Sequence, residues 1–307
     1  MRLSTLPPAP RDRAPLALAP DVLRRLRRAP IGHGPQALDA FFDRLPRSRR
    51  RVLMLDYDGT LAPFQADRFQ ARPYDGAREL LARIHTQPAT RLVIVSGRPA
   101  REAADLLALA PRPETWGVHG WERLTPSGQL VRAILPQQAR LALHRLLALR
   151  ASLEDCGALV EEKYASVAVH TRGIAPEAAD AQARVRALLA EFEPPADGAA
   201  RLDGVYLQAF DGGWELRAHG PNKGSVVRGV LREESRDSLI AYLGDDLTDE
   251  DAFVALGDRG LSVRVFPPGV TPAARERASA AQLALHAPDE LLAFLARWAE
   301  DTAPAAG

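Results

Sequence analysis

Short runs of unbroken apolar residues recur along the chain, and each ends on an acid, a hydroxyl or a glycine. The first is Val52-Leu53-Met54-Leu55, preceded by Arg51 and followed by Asp56-Tyr57-Asp58-Gly59-Thr60. A run with no polar alternation predicts a strand buried on both faces, as inside a parallel sheet. Arg91–Val95 repeats the pattern and ends in Ser96-Gly97-Arg98-Pro99. Ser238–Leu243 repeats it again and ends in Gly244-Asp245-Asp246. Leu261–Val265 predicts a further strand, and Thr115–Glu122 a short one with a glycine-rich end. Helical spacing separates these runs: Leu38, Phe41, Phe42 and Leu45 share one face, as do Ala77, Leu80, Leu81 and Ile84. Helices are also predicted from about 100 to 109, over Val226, Val227, Val230 and Leu231, and near 271–280 and 288–300. Strands alternating with helices predict an α/β fold with a Rossmann-like parallel sheet.

The middle of the chain follows another rhythm. Gln137–Leu153 reads as a helix with Leu141, Leu143, Leu146, Leu147, Leu149 and Leu153 on its apolar side. Ala158–Arg172 alternates, which suits an antiparallel pair with one covered face. A second helix, Pro176–Phe192, a turn at Pro194–Gly198, and a second hairpin around Asp211-Gly212-Gly213 follow. The expected organisation is a core of 36–135 and 218–307 interrupted by an α+β cap at 136–217. Pro136 and Ala218–Pro221 are its candidate hinges, and the cap is expected to close over Asp56. Residues 1–35, rich in proline, arginine and alanine, read as a partly ordered extension with a short basic helix at Leu23–Arg28.

Composition narrows the classes. With 46% hydrophobic residues among 307, a full core can be buried. Forty basic against 39 acidic side chains give +1, so no global field points to nucleic acid or an anionic membrane. One cysteine, Cys156, excludes an intramolecular disulfide and a cysteine metal cluster, and fits a reducing, cytoplasmic setting. No apolar run reaches the length of a membrane span, no secretory signal is expected, and no segment marks an obligate protein partner.

The candidate chemistry sits at strand ends, where open α/β sheets bind ligands. Asp56 and Asp58 repel each other unless a cation or shared proton lies between them. Ser96 before a helix start offers a hydroxyl and free backbone N–H groups to an anion. Lys223 opens another helix, and Asp245 and Asp249 follow another buried strand. Each feature alone has a bland reading: an Asp-Gly turn, a hydroxyl cap, a surface lysine, an acidic cap. Together they can perform phosphoryl chemistry. A carboxylate attacks phosphorus once the phosphate charge is neutralised, a task for carboxylate-held magnesium, and a second acid serves the leaving oxygen. His119, a lone histidine beside glycine, carries no catalytic role on this reading.

The set Asp56-x-Asp58-Gly59-Thr60, Ser96, Lys223 and Gly244-Asp245 with Asp249 resembles the four motifs of the haloacid dehalogenase superfamily, over roughly residues 50–265. Within it, V-S-G-R-P (95–99), G-V-H-G-W-E (117–122), E-E-K (161–163), His170-x-Arg172, E-L-R (215–217), N-K-G (222–224) and G-D-D-L-T-D-E-D-A-F (244–253) resemble the trehalose-6-phosphate phosphatase family. The resemblance implies Asp56 as nucleophile, Asp58 as general acid and then base, and Ser96 and Lys223 as phosphoryl holders. It implies Mg²⁺ on Asp56, the Asp58 backbone carbonyl and Asp245, with Asp249 in support. It further implies substrate contacts at Asp56, Tyr57, Asp58, Gly97, Arg98 and His119, and sugar contacts at Glu161, Lys163, His170, Arg172 and Glu215. Thr171 stands where the family commonly has an aromatic residue. The expected substrate is trehalose 6-phosphate, with another phosphorylated sugar or glycoside as the nearest alternative. A mutase shares the motifs, and a non-catalytic regulatory domain would lack Asp56, Asp58, Lys223 or Asp245.

Overall fold

The structure is a computed structural model that describes residues 34–65, 67–175, 178–193, 204–210, 212–271 and 275–303. The basic helix expected at Leu23–Arg28 and the turn at Pro194–Gly198 lie outside these residues, as do the start of the 176–192 helix, Asp211, and part of the 271–280 helix.

Two sheets organise the described residues. The larger contains β1 (Arg51–Asp56), β2 (Thr90–Val95), β3 (Glu114–Gly117), β4 (Glu122–Leu124), β5 (Leu130–Arg132), β10 (Leu239–Gly244), β11 (Leu261–Phe266) and β12 (Leu283–His286). Their order is β12-β11-β10-β1-β2-β3-β4-β5, parallel from β12 to β3 and antiparallel at the β4-β5 edge. The second sheet, β6 (Leu159–Lys163), β7 (Ser166–His170), β9 (Gly213–Ala218) and β8 (Val205–Phe210), is antiparallel throughout.

β1 explains the layering. Its side chains alternate between two apolar layers, and every residue is buried. Leu53 and Leu55 pack with helices α1 (Gly34–Arg44), α2 (Ala77–His85) and the C-terminal helix Asp289–Asp301, through Phe42, Leu81, Phe294 and Trp298. Val52 and Met54 face the other way, against Val226, Val227 and Val230 of helix Lys223–Glu233 and Phe253 of helix Leu247–Leu256. This is why the run carries no polar alternation. The chain leaves β1 toward β2 and β3 on one side, and later fills β10, β11 and β12 on the other. The switch point lies between β1 and β10, at whose carboxyl ends a ligand crevice is expected.

The second sheet packs one face on its own helices. Val160, Val167, Val169 and Leu216 pack against helices Gln137–Ala148, Arg150–Glu154 and Ala179–Leu189. The opposite face carries Glu161, Lys163, Ser166, His170, Glu215 and Arg217, as period-two alternation dictates. The expected single helix 137–153 is broken at Leu149, which lies between two shorter helices. Leu141, expected on the apolar side, is 58% exposed, whereas Leu143 and Leu146 are buried. The strand expected over Thr115–Glu122 ends at Gly117. Val118 and His119 then take left-handed backbone (φ 48° and 55°) before β4 turns back antiparallel. β4, β5 and β12 are three or four residues long, too short to show a period.

Leu53 is fully buried in the middle of the central strand. Leu53→Ala is expected to cost about 2–5 kcal/mol of unfolding free energy, read from the urea midpoint. A loss below about 1 kcal/mol would show that the layer collapses around the site.

Candidate active site

β1 and β10 run in register, Leu55 beside Leu243, so Asp56 and Asp245 emerge side by side. The chain must turn sharply after Asp56. Gly59 takes φ +80°, and a Cβ there would stand 2.1 Å from Asp245 Oδ2, so glycine is required for this approach. Helix Leu247–Leu256 is fixed by a reciprocal cap between Asp246 and Asp249. That cap turns Asp249 back beneath the strand end, fully buried. Asp249 accepts from the Tyr242 hydroxyl at 2.6 Å, from Lys223 Nζ at 2.8 Å, and from the backbone N–H groups of Asp245 and Asp246 at 3.1 Å each.

Lys223 begins its helix behind Asn222, which caps it reciprocally with Ser225. The ammonium is buried, 2.9 Å from Asp56 Oδ1 and 3.7 Å from Asp246 Oδ1. Burial alone would lower its pKa. Asp249, Asp56 and Asp246 outweigh that and raise it well above the usual value, so Lys223 is a permanent cation.

Asp56, Asp245 and Asp249 each offer a carboxylate oxygen, all within 4.8 Å of one another. Burial first, then repulsion from Asp56, Asp246 and Asp249, pushes the Asp245 carboxyl well above the ordinary range. One lysine among four carboxylates leaves negative charge uncompensated. An all-oxygen donor set with excess negative charge fits a hard divalent cation, which would reverse that repulsion.

Asp58 stands just outside this group. Both its oxygens accept from Arg98, from Nε and Nη2 at 2.6 Å each. The expectation for Asp58 as a metal residue concerned its backbone carbonyl, and its side chain pairs with Arg98 in this structure. Ser96 is buried and its Oγ accepts from the Arg98 backbone N–H at 3.1 Å. Gly97 lies under His119, whose Cε1 would be 2.7 Å from an added Cβ. Tyr57 departs from the substrate-facing expectation: its ring is buried in the apolar layer and its hydroxyl donates to the Ala71 carbonyl at 2.8 Å. Strand alternation sends residue 57 away from the side that Asp56 and Asp58 face.

The polar face of the second sheet meets this crevice. Glu215 accepts from Ser166 at 2.7 Å and Lys163 at 3.0 Å, and its Oε2 is 3.8 Å from His119 Nε2. Glu161 pairs with His170 at 3.0 Å and lies 3.8 Å from Lys163. Arg172 lies past β7 with its side chain against Gly212, near enough to His170 to help lower its pKa. His119 is buried, and burial, then Arg217, hold its imidazole well below the usual range. Sequence reasoning missed Tyr242, Ser166, Arg217, Glu102 and Arg68. Tyr242 was visible as a hydroxyl inside an apolar run, and Arg217 as two residues from Glu215 in a strand. Arg68 and Glu102 gave no signal.

The trehalose-phosphatase family matches residues 54–287. A trehalose-phosphate phosphatase of Mycobacterium marinum (strain ATCC BAA-535 / M) is 31% identical over 263 residues, which cover 81% of this chain and 62% of that protein. The chain thus spans under two thirds of that relative's length. Among solved structures, the C-terminal domain of C. albicans trehalose-6-phosphate phosphatase superposes with a TM-score of 0.71 at 21% identity, over 89% of this chain and 99% of that one. A phosphatase of the haloalkanoate (HAD) superfamily from Bacteroides thetaiotaomicron aligns with a TM-score of 0.52 at 14% identity, over 81% and 95%. These two likenesses establish the HAD fold. Among the described residues, no helix is long and apolar enough to cross a membrane.

Glu215 generates a pH prediction. Burial alone would raise its carboxyl, but Lys163, His119, Arg217 and the Ser166 hydrogen bond bring it from 4.5 to about 2. A depressed carboxyl stabilises above its unfolded value and loses that contribution as pH falls through the folded one. Glu215→Gln is expected to cost on the order of 3 kcal/mol near neutrality. The gap to the parent protein should shrink as pH falls from 4.5 toward 2. Urea unfolding across that range checks it, and a gap that stays constant with pH would refute it.

Proposed function

Because the chain belongs to the trehalose-phosphatase family, we propose that it hydrolyses trehalose 6-phosphate to trehalose and phosphate in a Mg²⁺-dependent reaction. The observation that carries this reading is Lys223 bridging Asp56 and Asp249 at the switch point, opposite the polar face of the second sheet. Asp56 is the nucleophile. Its carboxylate attacks phosphorus to give an aspartyl phosphate, and the sugar oxygen leaves. Lys223 holds one phosphoryl oxygen, and the Ser96 hydroxyl holds another. Asp58 delivers a proton to the leaving oxygen and then takes one from the water that hydrolyses the acyl phosphate.

Asp56, Asp245 and the Asp58 carbonyl would hold Mg²⁺, with Asp249 anchoring Lys223 and the Asp245 backbone behind them. The ion supplies charge neutralisation for the approaching phosphate. The second sheet acts as the cap, and Glu161, Lys163, His170 and Glu215 read sugar hydroxyls. A site built to pair such hydroxyls rejects a sugar that leaves its buried groups unpaired.

Phosphate release from a sugar-phosphate panel tests this. Trehalose 6-phosphate should be hydrolysed with Mg²⁺ and not with chelator, and glucose 6-phosphate and sucrose 6-phosphate only weakly. Asp56→Asn should lose roughly a thousandfold or more. Preference for another sugar would overturn the cap assignment, and full activity of Asp56→Asn would overturn the nucleophile.

A further inference from the structure

The loop after β1 contains a one-turn helix, Arg68–Gln70, held by Asp67, whose side chain accepts from the Phe69 N–H at 2.9 Å. Arg68 has no part in the chemistry above, yet its guanidinium stands between the two halves of the site. On one side, Nε and Nη2 donate to the two oxygens of Glu102 at 3.1 and 2.5 Å. On the other, Nη1 pairs with Glu161 of β6. Glu102 also accepts from Arg98 Nη1 at 2.7 Å, and that nitrogen donates to the Arg68 carbonyl at 2.7 Å. Arg98 commits its remaining donors to Asp58. A chain of alternating charge therefore runs Asp58–Arg98–Glu102–Arg68–Glu161, and Glu161 is hydrogen-bonded in turn to His170 at 3.0 Å.

We propose that Arg68 is a positioning residue that sets the sugar-facing carboxylate Glu161 in register with the acid–base residue Asp58, and thereby contributes to sugar specificity. The inference rests on the phosphatase reading above. A guanidinium is a rigid planar fork, and two of its edges here are taken by carboxylates from a core helix (Glu102) and from the second sheet (Glu161). The core end does not depend on the Arg68 side chain: Arg98 keeps Glu102, Asp58 and the Arg68 carbonyl when that side chain is removed. The Glu161 end does depend on it. Truncation should therefore disturb recognition of the sugar more than reaction at phosphorus. Arg68 lies on a surface loop with its side chain 27% exposed, so its replacement does not threaten the core.

The test is a double-mutant cycle with Arg68→Ala, Glu161→Ala and the pair, on trehalose 6-phosphate, with Arg68→Ala also assayed on p-nitrophenyl phosphate. Each single change should lower kcat/KM for the sugar phosphate roughly tenfold, chiefly through KM. The double variant should be no worse than about twofold beyond the weaker single one. The loss of Arg68→Ala on p-nitrophenyl phosphate should be several-fold smaller. Arg68→Lys, which keeps the charge without the fork, should recover part of the loss. Multiplying losses in the double variant, or equal losses on the two substrates, would overturn the proposal. If the parent protein prefers another sugar phosphate, the substrate reading fails by itself, and the same cycle on the preferred sugar still decides the role of Arg68.

Discussion

The ammonium of Lys223, buried between Asp56 and Asp249, is the constraint on which the rest depends. Three carboxylates crowded at the end of a parallel sheet need a cation or shared protons among them. The fold delivers that cation from the start of a helix whose apolar face packs on β1 and β10. The same helix thus closes one layer of the core and places the charge. Asp249 is held by four donors, Lys223 among them, and so transmits this order to the Asp245 backbone. Packing and electrostatics are one arrangement here, because the strand ends supply acids and the covering helices supply what compensates them.

Much of the core was legible because its physics is local in sequence. An unbroken apolar run reports burial on both faces, and the acid or hydroxyl after it reports the carboxyl end of a strand. Asp56, Ser96 and Asp245 are visible for that reason, and Lys223 as the first residue of a helix. The second sheet was visible through alternation, which assigned Glu161 and Lys163 to one face. Tyr57 misled because it sits between two acids of the motif, while alternation turns its ring into the core. The break at Leu149 and the short strands β4, β5 and β12 left no period to read. Arg68 and Glu102 were illegible for another reason. Their roles arise from a meeting of a loop, a helix and the second sheet, far apart in sequence, and no spacing rule encodes that.

The charge balance divides the site into two regions of different chemistry. Around Lys223, the acids Asp56, Asp245, Asp246 and Asp249 outnumber that ammonium, and Asp56, Asp245 and Asp249 all have raised pKa values. Toward the second sheet the balance is even: Asp58, Glu102, Glu161 and Glu215 meet Arg68, Arg98, Lys163 and Arg217. Near neutral pH His119 and His170 add no charge, since burial first and nearby cations second hold both imidazoles below their usual range. A neutral imidazole donates at one nitrogen and accepts at the other, which matches a hydroxyl. The acidic region thus suits a metal ion with a phosphate, and the balanced region suits an uncharged polyol. On the proposed reading, a substrate carrying its charge at one end and its hydroxyls at the other would fit this division with its phosphate toward Asp56 and its sugar toward Glu161.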